Sequence, residues 1–311
     1  MRLSCRGKTL DLTQPCVMGV VNVTPDSFSD GGQHYVPAAA VQAGLRMAEE
    51  GAAIIDVGGE STRPGASPVS AADEIERVVP VIEALARRVD AIVSVDTSKP
   101  EVMREALRAG AHMINDVRAL ELSGALEAAA AGGAAVCVMH RQGEPSNMQL
   151  NPHYDDVVRE VRAYLAERVA ACLAAGIEAS AICVDPGIGF GKTFEHNLEL
   201  LRNLRAFTDL GAPLLIGVSR KSTIGKITGR AIGDRLAGSV SLAVLCVERG
   251  ARIVRAHDVA ATVDALKVAA ALGEPVVDRR SADASTRRTS GCSRASRHAP
   301  AAGTRSERKN G

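Results

Sequence analysis

The sequence predicts an α/β chain built as a single (β/α)8 TIM barrel, with a short N-terminal hairpin or cover and a disordered basic C-terminal tail. Two observations predict it. Eight short apolar runs recur along the chain with stretches of helical periodicity between them, and nearly every run ends in a residue capable of chemistry. In a parallel barrel all eight strand ends open on one face, where groups from distant parts of the chain converge. A doubly wound open sheet is the alternative, but it gathers its ligands around one switch point. Functional-looking termini on all eight strands favour the barrel.

Residues 1–15 read as the hairpin, 16–275 as the barrel and 276–311 as the tail. Val17–Val21 runs into Asn22, Ala53–Ile55 into Asp56, Ala91–Val95 into Asp96 and Ala111–Ile114 into Asn115. Ala134–Met139 meets His140, Ile182–Val184 meets Asp185, Leu214–Val218 meets Ser219 and Lys221, and Arg252–Val254 meets Arg255 and His257. Helices are expected over Pro37–Gly51, Ala71–Val89, Pro100–Ala109, Ser123–Gly132, Pro152–Gly176, Asn197–Phe207, Asp234–Arg249 and Asp258–Leu272. Pro100 and Pro152 suit first-turn positions, and Gly51, Gly110, Gly176 and Gly250 stand where helices stop.

Composition narrows the function. The chain has 311 residues, 46% of them hydrophobic, enough for one barrel of roughly 250 residues. Trp is absent and only four Phe and three Tyr occur. A single-strand nucleic-acid binder needs stacking aromatics beside its basic groups, so no nucleic-acid partner is expected. From Arg279 onward eight Arg and one Lys face Asp283 and Glu307, +7 in all; against the whole-chain +1, the body is near −6. That Ser- and Arg-rich end lacks apolar periodicity and reads as a solvated tail. The seven cysteines include no CxxC pair, and Cys137, Cys183 and Cys246 sit inside apolar runs. A reducing compartment suits them. With no apolar leader and no membrane-length run, a soluble cytoplasmic protein without a membrane partner is expected.

The loops after the runs carry the chemistry. Asn22 to Gly32 is dense in polar groups and glycine, and Gly58 to Gly65 adds Arg63 as an anion clamp. Asp185-Pro-Gly-Ile-Gly-Phe-Gly-Lys-Thr193 ends like a phosphate loop, but Pro186 stands where that motif needs glycine. The glycine spacing also misses the dinucleotide fingerprint. What remains is a strand-end carboxylate beside a glycine loop bearing Phe190, suited to a planar ligand with an amidine-like edge. Thr97 and Ser98 can cap the helix at Pro100, leaving Asp96 free; with Asn115 and Asp185 it forms a template for a polar heterocycle. Asp56 reads equally as structural or supporting, and His140 is left open. His34, His112, His153, His196 and His298 read as structural or solvent-exposed. Cations at Gly217-Val-Ser-Arg-Lys-Ser222 and Arg255-Ala-His-Asp258 suit a phosphate site at the last strands. Without an HExxH pair or Cys cluster, any metal is expected to be a hard ion held largely by phosphate and water.

These segments, with Val21–Gly32, Asp56–Gly65, Ser94–Ser98, Ile114–Val117 and Val138–His140, resemble the dihydropteroate synthase family in order from about Val17 to Leu272. The tail has no counterpart. The resemblance implies condensation of 6-hydroxymethyl-7,8-dihydropterin diphosphate with 4-aminobenzoate, releasing dihydropteroate and diphosphate by a dissociative displacement. It implies a pterin site of Asp96, Asn115, Met139, Asp185, Phe190, Gly217, Lys221 and Arg255. Asn22, Thr62, Arg255 and His257 would meet diphosphate, with Asn22 on Mg²⁺. Phe28, Thr62, Arg63, Pro64, Phe190, Lys221 and Ser222 would form the 4-aminobenzoate pocket, open to sulfonamides. Lys221, Arg255, His257 and Asp26 would act in catalysis. A homodimer through late helices is also implied. Two alternatives are a pterin-dependent methyltransferase acting on a corrinoid protein and an inactive pterin-binding module.

Overall fold

The computed structural model describes residues 1–24, 35–61, 68–144 and 147–272. The tail expected over 276–311 lies outside the described residues. An antiparallel hairpin of β1 (Arg2–Cys5) and β2 (Lys8–Asp11) precedes the eight barrel strands. These are β3 (Cys16–Asn22), β4 (Ile54–Gly58), β5 (Ile92–Asp96), β6 (Met113–Asp116), β7 (Ala135–Met139), β8 (Ile182–Asp185), β9 (Leu214–Gly217) and β10 (Ala251–Ala256). Each pairs in parallel with its neighbour, and β10 closes on β3 through Val254 opposite Val17 and Arg255 opposite Met18.

The two-residue period of a strand divides the side chains into two cores. Val17 and Val21, Ile55 and Val57, Val93 and Val95, and Val136 and Val138 face the helices in an outer layer. Met18, Ile54, Ile92, Met113, Cys137, Cys183, Leu215 and Ile253 fill the barrel interior. Leu3, Cys5 and Leu12 of the hairpin segment join that inner cluster. The hairpin therefore stoppers the amino-terminal end, leaving the carboxyl end for ligands.

The helices are α1 (Tyr35–Glu49), α2 (Ala71–Ala86), α3 (Pro100–Arg108), α4 (Ala125–Gly132), α5 (Val157–Ala174), α6 (Phe194–Arg202), α7 (Ser222–Thr228), α8 (Leu236–Glu248) and α9 (Val259–Leu272). Several boundaries depart from the sequence reading for identifiable reasons. Pro152 does not open α5. Asp156 accepts from Arg159 N at 2.9 Å as the N-cap, while the backbone of His153 is tied to the Gln142 side chain by two hydrogen bonds. α6 begins before Asn197 because Thr193 and His196 form a reciprocal capping box. It then tightens into a 3₁₀ turn over Leu204–Phe207. Ser98 does not cap α3: its hydroxyl donates to Asp116 Oδ1 at 2.5 Å, and Thr97 Oγ1 accepts from Lys99 N at 3.2 Å. Gly51, Gly110, Gly176 and Gly250 do follow helix ends as expected.

The described cysteines are unpaired thiols, and Cys5, Cys137, Cys172, Cys183 and Cys246 are buried. Among the described residues no helix is long and apolar enough to cross a membrane.

Phe207 is the largest fully buried side chain of the outer core. Phe207→Ala is expected to lower the free energy of unfolding by about 3–5 kcal/mol, read from the urea midpoint. A loss under about 1 kcal/mol would mean that the outer layer collapses to fill the space.

Candidate active site

Strand parity decides which polar residues can meet a ligand. Asp56 shares the inward face of β4 with Ile54, Asp96 that of β5 with Ile92, and Asn115 that of β6 with Met113. Asp185 follows Cys183, Gly217 follows Leu215 and Arg255 follows Ile253 on the same pattern. Asp116 has the opposite parity. It is buried outside the barrel, accepting from Ser98 and from the backbone of Arg118 and Leu120.

Arg255 is the hub of this interior. Its Nε donates to Asp56 Oδ2 and its terminal amine to Asp96 Oδ2, both at 2.7 Å. Asn115 Nδ2 donates to the same Asp56 oxygen at 2.9 Å. Asp96 thus has Oδ2 engaged by Arg255, and Asp56, equivocal from sequence, is a fully buried anchor. Burial and the carboxylates of Asp56, Glu74 and Asp116 push Asp96 up to about 7, against the pull of Arg255. Burial disfavours the Arg255 charge, but Asp56 and Asp96 more than offset it and raise its pKa.

The opposite wall is formed by the loops after β8 and β9. Asp185 Oδ1 accepts from Gly187 N at 2.7 Å; burial raises its pKa, while Lys221 does most to oppose the rise. The Lys221 amine donates to Ile188 O and lies 4.6 Å from the centroid of the Phe190 ring. Burial brings Lys221 down to about 8, with Asp185 resisting. Lys221 is delivered by an unusual backbone: Arg220 has φ +59°, a left-handed conformation costly for a side chain of this size. Asp258 holds the Arg220 guanidinium at 3.0 and 2.5 Å, Ser239 Oγ accepts from its N–H at 2.9 Å, and Arg235 donates to its carbonyl at 2.9 Å.

The remaining sequence-predicted residues fall around this rim. Met139, at the end of β7, lies opposite Asp185 in register, and Gly217 lies opposite Arg255. His257 Nδ1 lies 3.0 Å from Ser219 Oγ. Asn22 ends β3 opposite Gly58, and Ser222 opens α7 directly after Lys221. Asp26, Phe28, Thr62, Arg63 and Pro64 lie outside the described residues. A cavity of about 170 Å³ beside the rim is lined by Glu60, Glu74, Asp96, Thr97, Lys99 and Arg118. A more open depression of about 730 Å³ lies at the amino-terminal side of the strands and holds none of the predicted residues.

Sequence reasoning overlooked Lys192 and the Lys99 pairs. Lys99 bridges Glu60 and the fully buried Glu74. Their signal was weak, since each stands in a helix or loop where a solvated charge is the ordinary outcome. His196 and His112 are structural as expected: one caps α6, and the other accepts from Val93 N at 3.2 Å.

The pterin-binding enzyme family matches residues 18–257. The chain belongs to the dihydropteroate synthase family of pterin-binding enzymes. It is 53% identical to the dihydropteroate synthase of Escherichia coli K12 over 268 residues, spanning 86% of this chain and 95% of that one. The Yersinia pestis family member solved with a sulfonamide drug superposes with a TM-score of 0.83 at 50% identity, covering 87% of this chain and 98% of that one. The Xanthomonas albilineans dihydropteroate synthase solved with 7,8-dihydropteroate gives 0.80 at 50% identity, covering 88% and 98%. These family members share the barrel described above.

A pH test follows from Asp96. A carboxyl whose pKa rises on folding binds its proton more tightly in the native state, so it costs stability as pH climbs from about 4 toward 7. Asp96→Asn is expected to flatten the fall in melting temperature across that window. An unchanged slope would assign it to other groups.

Proposed function

We propose that this chain catalyses the family reaction: 6-hydroxymethyl-7,8-dihydropterin diphosphate and 4-aminobenzoate combine to give 7,8-dihydropteroate and diphosphate. That makes it a transferase of folate biosynthesis in the cytoplasm. The observation that carries the reading is the inward ring of Asp96, Asn115, Asp185, Lys221 and Arg255 at the open end of the barrel. The Xanthomonas albilineans relatives solved with 4-aminobenzoic acid and with 7,8-dihydropteroate support both substrate classes.

Asp185, one oxygen already held by Gly187 N, offers the other to the aminopyrimidinone edge of the pterin. Asn115 and Asp96 meet other polar ring positions. Lys221 reaches the ring carbonyl and Phe190 adds an apolar face. Met139 and Gly217 line the same pocket. Arg255 covers the ring and, with His257, meets the diphosphate, while Thr62 adds a hydroxyl. The C–O bond from the exocyclic methylene to diphosphate breaks first, the electron pair leaving with diphosphate. Positive charge spreads into the electron-rich ring, and Asp26 stabilises it. The neutral aryl amine then forms the C–N bond and loses its proton to solvent. Preorganised charge on the leaving group is the largest contribution to such a step. Phe28, Arg63, Pro64 and Ser222 complete the 4-aminobenzoate pocket, which sulfonamides would share.

Mg²⁺ fits this arrangement with one protein ligand. No described cluster of three or more His, Cys, Asp or Glu offers an all-protein site, and the Asn22 carboxamide is a hard oxygen donor at a strand end. The ion supplies charge neutralisation on diphosphate oxygens.

The test is diphosphate release by the purified chain with Mg²⁺ and the pterin diphosphate, with and without 4-aminobenzoate. Mg²⁺-dependent release with dihydropteroate as product is expected; pterin binding without release under any condition would reject the reading. Arg255→Ala should cut kcat by about 10²-fold or more and change the KM for 4-aminobenzoate far less. Unchanged turnover would remove Arg255 from the mechanism.

A homodimer through the late helices is part of the same proposal. Ile227 of α7, Ile232, Leu236 and Leu245 of α8, and Val268 of α9 are exposed apolar side chains, which supports an interface there. Sedimentation should give twice the 32.4 kDa chain mass, and Leu236→Glu with Leu245→Glu should give monomers. A monomeric parent chain would reject the interface.

A further inference from the structure

The most deeply buried amine outside the proposed contact set is Lys192, 2% exposed, at the end of the glycine loop. Its Nζ lies 2.9 Å from His140 Nδ1, 3.4 Å from His140 O and 3.0 Å from Phe190 O. Three polar atoms surround this amine, and burial drives its pKa well below the usual lysine value, with Asp185 opposing the fall and Lys221 adding to it. His140 is itself enclosed, edge-on to Tyr164 at 4.9 Å between centroids, and burial with the neighbouring Lys192 drives its pKa far down.

This amine sits where two loops are pressed together. A Cβ at Gly187 would stand 1.8 Å from His140 O, and one at Gly191 2.1 Å from Gln142 O. The backbone after β8 therefore lies directly on the backbone after β7, a contact only glycine permits. His140 N donates to Asp185 O at 3.0 Å, Tyr154 hydroxyl donates to Gly191 O at 2.8 Å and Gly189 N donates to Asn197 Oδ1 at 2.7 Å. Lys192 is the buried amine of this seam, which also carries Asp185 and Arg141. It binds the carbonyl of Phe190, and the same loop carries Ile188, whose carbonyl receives Lys221, and starts at Asp185.

We infer that Lys192 is a positioning residue, whose buried amine cross-links the loops after β7 and β8 and thereby sets Phe190, Lys221 and Asp185 for a pterin ring it does not touch. The inference rests on the functional reading above. Asp185 is faced by Lys221 from the loop after β9, by Lys192 from its own loop, by Arg255 from β10 and by Cys137 from β7. Lys221 contributes more than Lys192 to holding the carboxylate ionised, and Arg255 contributes less.

The experiment is calorimetric titration of the full-length chain with 6-hydroxymethylpterin, a non-reactive probe, across pH 5–9, alongside steady-state kinetics. Lys192→Met retains the side-chain length and removes the donors. It should raise the pterin Kd about tenfold, since small misplacements of a site cost this much or more. The KM for 4-aminobenzoate should rise less than the pterin Kd, because that pocket shares Phe190 and Lys221 but draws its other residues from loops Lys192 does not touch. A fold-stabilising role alone would lower the melting temperature and leave the pterin Kd of the folded variant unchanged. Should Lys192→Met fail to fold, His140→Leu removes one acceptor from the same amine and should weaken pterin binding in the same direction. Pterin binding within twofold of the parent in the folded variant overturns the inference. A parent chain that binds no pterin removes the functional reading, and this inference with it.

Discussion

Closure of the sheet by β10 on β3 is the constraint on which the rest depends. It brings Arg255 to within 2.7 Å of Asp56 and Asp96, residues 199 and 159 positions away in the chain. An open sheet would leave β10 and β3 as two edges, with Arg255 at one and Asn22 at the other. Closing it removes both edges and turns a linear series of strand ends into a ring. The hairpin stopper complements that closure, since Leu3, Cys5 and Leu12 fill the end that chemistry does not use.

Inside the ring the charges are arranged in two groups. Arg255 faces Asp56 and Asp96, while Lys221 and Lys192 surround Asp185. Buried ions cost desolvation energy, and mutual attraction repays it only when the geometry is good and the remaining protons find acceptors. The arrangement meets that condition unevenly. The Lys192 amine has three polar neighbours, whereas Asp56 Oδ1 is buried without a hydrogen-bond partner among the described residues. A site of this kind is held in readiness by the surrounding fold at some cost in stability. The left-handed Arg220 backbone is a second instance, fastened on three sides so that Lys221 projects into the site.

Much of the candidate site was legible because a strand is a simple counter. Apolar residues two apart identify the face, and the first polar residues in the same phase, Asp96, Asn115, Asp185 and Arg255, had to point inward once the runs were strands. The role of Asp56 was less legible: the run ending at Ile55 in the sequence reading continues to Gly58, placing Asp56 inside a strand rather than at its tip. Helix starts were misread where local signals competed. Pro152 lost to Asp156, whose carboxylate caps the chain four residues nearer the helix body. Ser98 abandoned the cap of α3 for a carboxylate on a neighbouring strand, a partner no local pattern reveals.

The sequence by itself determined the number of strands, their alternation with helices, the family and the chemical types at each strand end, because all of these are local or periodic properties of the chain. Tertiary structure alone decided which groups pair. That Arg255 is shared by two carboxylates, that Asn115 turns to Asp56, and that a lysine in a glycine loop is buried rather than solvated all follow from distances across a closed barrel. Burial also sets the ionisation of Asp96, Asp185 and Lys221, and burial is a property of the packed whole.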